Sequence, residues 1–294
     1  MKKNNINGWL FIDKPVGVTS FYVIKKIRKF LDIKKIGHSG TLDPLASGVL
    51  GIAIGEATKS IDYLNNKKEY EFNVTFGESK TTEDLEGETL DLTKSIPNKK
   101  EIIAILKNFL GIIEQDPPKH SAIKINGIRS YNLARKSLNF ETKKRKVVIY
   151  DLIHIKQLNE YTHKFKTTCS SGTYIRSIGR DIAIKLNSLG YISFLRRTRI
   201  SKISEKKIIS LDNLIELVHI GNHFKMVQPI ESVLDDIPAV YLNREDTKRF
   251  RDGQVLNIFA SSSNISKLLV LDKEVVGIGK VEEGTLVPIR MFNI

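Results

Sequence analysis

The chain predicts an α+β fold: a mixed, largely antiparallel sheet flanked by helices, followed by a small β-rich domain. Three observations lead there. Strand-length and helix-period apolar runs interleave irregularly, without the steady strand–helix alternation of a doubly wound parallel sheet. Residues 69–76 alternate, placing Tyr70, Phe72, Val74 and Phe76 on one side of a strand. The length of 294 residues exceeds the usual single domain, and a boundary near residues 235–238 divides the chain into 1–235 and 236–294.

The elements follow in order. Residues 9–12 read as a short strand. Thr19 or Ser20 caps a helix with Phe21, Ile24, Ile27 and Leu31 on one face. Residues 49–54 form an apolar run between glycines, a buried strand, and residues 78–88 are a polar, acidic loop. Ile102, Ile103, Leu106, Phe109 and Leu110 recur at helical spacing, closed by Gly111. Ser130 caps a second helix reaching Leu138. A basic run at 143–146 enters a strand over 147–155, and a strand over 165–169 pairs nearby. A helix over 174–186 places Ile175, Ile178, Ile182 and Leu186 on one face, and residues 211–218 form a shorter one. Beyond the boundary, a helix spans 243–250 and strands lie near 268–271, 275–279 and 286–291.

Composition narrows the function. Hydrophobic residues make up 41%, enough for a buried core. Lysine and arginine total 47 against 33 acidic residues, and the resulting +14 implies a polyanionic partner, nucleic acid first. An AT-rich genome would also enrich the Lys, Asn and Ile abundant here. The single cysteine, Cys169, excludes a disulfide framework or a cysteine-based zinc site within one chain and reads as a buried strand residue. His219 and His223 are four apart, but Gly221 between them breaks the helix and no acidic partner is evident, so no metal site is expected. With no apolar signal-peptide core and no membrane-spanning run, a cytoplasmic location is expected.

The most informative stretch is Gly37-His38-Ser39-Gly40-Thr41-Leu42-Asp43-Pro44-Leu45-Ala46-Ser47-Gly48. Its glycines permit backbone angles closed to other residues, and Pro44 biases Asp43 away from helix. A carboxylate on such a stiff loop suits covalent or acid–base chemistry; a surface turn with a solvated Asp has the same composition.

This stretch closely resembles the active-site signature of the bacterial tRNA pseudouridine-55 synthase family. Further blocks are similar to the family's in the same order: Leu10-Phe11-Ile12-Asp13-Lys14-Pro15 with Gly17, Lys68-Glu69-Tyr70, Pro117-Pro118 with Ser121-Ala122-Ile123-Lys124, and Ser171-Gly172-Thr173-Tyr174-Ile175-Arg176-Ser177 followed by Leu195-Arg196-Arg197-Thr198. The resemblance covers residues 7–235 well and the tail less well, where the strands resemble an RNA-binding appendage of the PUA type. In residues 77–87 Lys80 stands where the family usually has Thr, while Thr82 and Asp84 are retained.

The resemblance implies a pseudouridine synthase fold and isomerisation of uridine to pseudouridine in the T-loop of tRNA. That chemistry needs no redox cofactor or nucleotide, and no Walker loop or Rossmann fingerprint stands in the chain. Asp43 is implied as nucleophile or base at the sugar, with Arg176 as its cationic partner. Tyr70 would lie against an everted uracil as a catalytic group whose hydroxyl helps move the C5 proton, Tyr174 would line the same pocket, and Leu195 would wall it. His38 would fill the space the base leaves. Lys14 would support the loop or contact RNA, and Asp84, in the neighbouring loop block, is expected among the substrate-binding residues. Lys143, Lys144, Arg145 and Lys146, with Arg196, Arg197 and Arg199, are candidate phosphate contacts. A monomer acting on tRNA without metal is expected. Rival readings are a synthase for another RNA, a non-catalytic RNA chaperone, and a glycosidase using Asp43 and Asp84 as a pair.

Overall fold

Trp9 and Phe11 alternate with Leu10 and Ile12 along β1 (Gly8–Lys14), and both sets are buried. A strand apolar on both faces belongs inside a sheet covered on each side. The computed structural model describes all residues except 1–5, 65–66, 122, 126, 136–137, 139, 235, 259–264 and 273. Asp235 at the expected boundary and Ala122 therefore lie outside the described residues.

The main sheet also contains β2 (Ile36–His38), β3 (Ser47–Ile54), β4 (Lys67–Phe76), β5 (Gly111–Gln115), β6 (Arg145–Gln157), β7 (Thr162–Ser170) and β8 (Gly190–Ile200). From β1 the order runs β1-β3-β8-β4-β7-β6-β5, with Ile209–Ser210 beside β1 and β2 beside β3. Only the Ile209–Ser210 and β3–β8 pairings along it are parallel, so the sheet is mixed and largely antiparallel as expected.

Helices α1 (Ser20–Leu31), α2 (Lys99–Leu106), α3 (Ile175–Lys185) and α4 (Leu211–His219) contribute to a core on one face of this sheet. Thr19 caps α1, but its buried stripe is Val23, Ile24, Ile27 and Leu31, while Phe21 is exposed. Phe21 satisfies the helical period yet falls one position outside the arc that meets the sheet. Asn98 and Glu101 form a capping box that starts α2 at Lys99; Lys107–Phe109 is a tighter 3₁₀ turn, leaving Ile103 and Leu110 exposed. Part of the expected 78–88 loop is ordered as a strand, Glu78–Lys80, paired with Thr89–Leu92.

The opposite face, formed by Trp9, Phe11, Val49 and Ala53, shares one core with Leu269, Val275, Ile278 and Phe292 of the C-terminal region. There β9 (Ile265–Asp272), β10 (Glu274–Glu282) and β11 (Thr285–Met291) are the three central strands of a second, five-stranded sheet, accompanied by α5 (Arg244–Arg251). Polar clamps reinforce the junction: Lys59 Nζ donates to the Met291 carbonyl at 2.9 Å, and Asn293 N–H to Glu56 at 2.8 Å.

Strand β8 was not expected, although it lies at the centre of the sheet. It sets Arg197 opposite Gly48 of β3 and opposite Tyr70 of β4. Gly48 has φ +100°, and a Cβ there would fall 2.2 Å from the Arg197 carbonyl oxygen, so glycine is required.

Candidate active site

The Asp43 loop bridges β2 and β3 and is held from within. Lys14 is fully buried and its ammonium donates to the carbonyls of Val18, Pro15 and Pro44 at 2.6, 2.9 and 3.3 Å. Burial lowers its pKa to about 8, against the raising effect of Asp43. Of the two roles the sequence allows Lys14, this geometry fits support of the loop and leaves no donor for RNA. Ser20 adds a second clamp: its hydroxyl accepts from Leu42 N–H at 2.8 Å and lies 3.1 Å from the Leu42 carbonyl.

Arg176, in the first turn of α3, brings a buried guanidinium against the half-buried Asp43 carboxylate. Nε lies 3.0 Å from Oδ2, and Nη2 donates to Oδ1 at 3.2 Å. The start of α3 is fixed by Gln115, fully buried at the end of β5, which accepts from Tyr174 N–H at 2.8 Å and donates to its carbonyl at 3.0 Å. Sequence reasoning passed over Gln115; a glutamine closing a short apolar run is its only signal.

Asp43, Tyr70, Tyr174, Arg176 and Leu195 line one cavity of about 240 Å³, together with Lys68. The structure thus unites five of the sequence-predicted site residues. Burial raises the Tyr70 hydroxyl above its ordinary pKa, so it stays protonated through neutral pH; it lies 3.5 Å from Arg197 Nη1. The Arg145 guanidinium stands 5.3 Å from the centre of the Tyr174 ring.

The other expected residues lie around the cavity. His38 ends β2, half-buried, its Nδ1 accepting from Gly40 N–H at 3.2 Å. Burial first, then the Arg197 and Lys68 charges, lower its pKa and favour the neutral ring. Asp84 is 2% exposed and sits behind Arg176, Oδ2 3.6 Å from Nε, with Oδ1 accepting from the Thr82 hydroxyl and from Glu86 N–H. Burial raises its pKa. It backs Arg176 and lies outside the lining of the Asp43 cavity, against both the expected substrate contact of Asp84 and a glycosidase pairing of Asp43 with Asp84.

The arginines of the 195–198 block differ from expectation. Arg197 is fully buried and donates to the carbonyls of Val49 at 2.7 Å and Gly40 at 3.1 Å, so it is no phosphate contact. It joins β3, the Asp43 loop and Tyr70. Arg196 pairs with both oxygens of Asp13 at 3.0 Å and with Glu205 at 2.7 Å, and Arg199 with Glu69 at 2.9 Å. Lys143, Lys144 and Lys146 are exposed, whereas Arg145 turns in to Tyr174. Cys169 is buried and its thiol pushed up to about 11, which removes it as a nucleophile at neutral pH.

The family model described as TruB family pseudouridylate synthase, N-terminal domain, matches residues 28–175, a span holding Asp43 and Tyr70. The tRNA pseudouridine synthase B of Rhodospirillum rubrum is 40% identical over 299 residues, covering 98% of this chain and 97% of that protein. The protein of the same name from Ehrlichia ruminantium is 40% identical over 98% of this chain and 99% of its own.

The chain belongs to the TruB family of pseudouridylate synthases. A solved Cbf5-Nop10-Gar1 complex contains a chain with the same fold, at TM-score 0.73 and 25% identity over 98% of this chain and 84% of that one. An H/ACA RNP bound to a substrate RNA containing 2′-deoxyuridine gives a TM-score of 0.74, at 24% identity over 98% and 85% of the two chains. The protein is accordingly an isomerase that converts uridine to pseudouridine. The cavity lining combines the Asp43 carboxylate and the Arg176 guanidinium with the rings of Tyr70 and Tyr174 and with Leu195.

Proposed function

We propose that this synthase isomerises uridine-55 in the T-loop of tRNA, acting as a monomer on a uridine turned out of the folded loop. The uracil lies against Tyr70 and Leu195, with Tyr174 beside it, while His38 fills the space the base vacates. Asp43 addresses the sugar as nucleophile or base, paired with and oriented by Arg176. The C1′–N1 bond breaks, the base turns while bound, and C5 bonds to C1′. C5 gives up its proton and N1 gains one, so the overall change is an isomerisation. The domain over 1–235 carries this chemistry, and the PUA-like domain over 236–294 adds RNA-binding surface.

The observation that carries the reading is the two-point Asp43–Arg176 pair opening on a cavity shared with Tyr70. The near full-length relatives named tRNA pseudouridine synthase B support the choice of tRNA. The test is to incubate unmodified tRNA with the protein and map pseudouridine by nucleotide. Modification at position 55 alone is expected; modification elsewhere with position 55 untouched would overturn the assignment.

A further inference from the structure

The alternation of β4 puts Lys68 on the same buried face as Tyr70, Phe72 and Val74. Its residue is only 7% exposed. No hydrogen-bond acceptor or ion-pair partner meets its ammonium among the described residues. Lys14, equally enclosed, satisfies three carbonyls, so the contrast is within one site. A buried cation without a partner is costly, and folds keep one where a ligand supplies the missing charge. Burial, with Arg197 behind it, lowers the Lys68 ammonium to about 8, so it is still mostly charged at neutral pH.

Its surroundings show where the ligand would lie. Lys68 lines both the Asp43 cavity and an adjoining one of about 430 Å³, and Gly40 and Gly172 share that position. Gly40, at φ +127°, leaves room for the ammonium: a Cβ there would come within 2.6 Å of Nζ. The outer cavity is otherwise lined by Ser39, Ile61, Leu64, Ser171 and Asp62, whose carboxylate makes no ion pair with Nζ. A uracil carbonyl, being neutral, would leave the charge uncompensated. An everted nucleotide carries its anions on the phosphodiesters either side of the sugar.

We propose that Lys68 binds one of the two phosphodiesters flanking the everted uridine, at the partition between the cavity for the nucleoside and the cavity for its backbone. The contact forms only once the nucleotide has left its stack, so it favours the everted state over the folded loop. This assignment rests on the proposed reaction, because it needs the uridine seated at Asp43.

The test is a binding cycle. Kd is measured for wild type and Lys68→Met on a T-arm stem-loop with all phosphates, and on versions with one neutral methylphosphonate either 5′ or 3′ of the target uridine. One of the two neutral linkages is expected to weaken wild-type binding by about tenfold, the size of one charge-assisted contact. Lys68→Met should weaken binding of the all-phosphate RNA by a similar factor, and the two changes together should cost no more than either alone. Additive losses at both linkages would overturn the proposal. So would a wild-type protein indifferent to both, a result that needs no variant to fold. Conversion is read separately: absence of pseudouridine from this RNA with wild type contradicts the proposed reaction, while the binding cycle still decides the role of Lys68.

Discussion

Arg176 meets Asp43 at two points, an ion-pair approach of 3.0 Å at Nε and a hydrogen bond of 3.2 Å from Nη2, and it donates to the carbonyls of Thr82 at 2.9 Å and His120 at 3.1 Å. One planar fork thus ties the Asp43 loop to two other segments. Lysine keeps the charge but cannot reproduce these contacts. Arg176→Lys is expected to lower the single-turnover rate by roughly 10²–10³-fold while changing the Kd for tRNA by less than about threefold. Rapid-quench assays beside filter binding would check both numbers.

Gly48 allows β8 to lie against β3, and Arg197 on β8 reaches both the Gly40 carbonyl and Tyr70. Gly48→Ala would drive a methyl group into the Arg197 backbone at a positive φ. It is expected to destabilise the protein by about 3–4 kcal/mol, read from urea unfolding.

Two buried lysines make opposite predictions. Lys14→Met leaves three carbonyls without their donor and is expected to cost about 1–3 kcal/mol and slow the reaction through a loosened Pro44. Lys68→Met removes an unpartnered charge. Below about pH 8 the folded and unfolded chains both hold the Lys68 proton, and burial of the charge opposes folding. From about 8 up to 10.5 the folded chain has released that proton while the unfolded chain keeps it, so wild-type stability rises through this window. Lys68→Met should therefore exceed wild type in stability at pH 7, by an amount on the order of 3 kcal/mol, and lose that advantage near pH 10. Thermal melts of both proteins across this range would measure the difference.

Tyr70 offers a ring to the cavity and a hydroxyl whose pKa is raised by burial. Tyr70→Phe keeps the ring and is expected to bind tRNA normally, but to release tritium from C5-labelled uridine about 10²-fold more slowly. Release at the wild-type rate would leave the hydroxyl without a role.

Much of this site is legible in the sequence because its parts are local. Glycines and Pro44 announce the Asp43 loop, and strict alternation announces the Tyr70 strand. What stays hidden depends on contacts distant in the chain. Arg196, Arg197 and Arg199 look like one exposed basic patch, since charges at neighbouring positions mask the pleat of β8 and its two irregularities break the period. Only the sheet order shows that Arg197 points inward while its neighbours pair with surface acids. Gln115 is equally silent, because its partner Tyr174 is 59 residues away. Lys68 did carry a signal: it stands in phase with Tyr70, Phe72 and Val74, the one charged residue on an apolar face.

The most direct measurement is single-turnover pseudouridine formation in tRNA by Asp43→Asn, paired with its Kd. Removing the carboxylate's charge while keeping its shape should abolish product and leave binding within about threefold of wild type, as expected for a group that acts on the reacting nucleotide. Product formation at the wild-type rate would contradict the account.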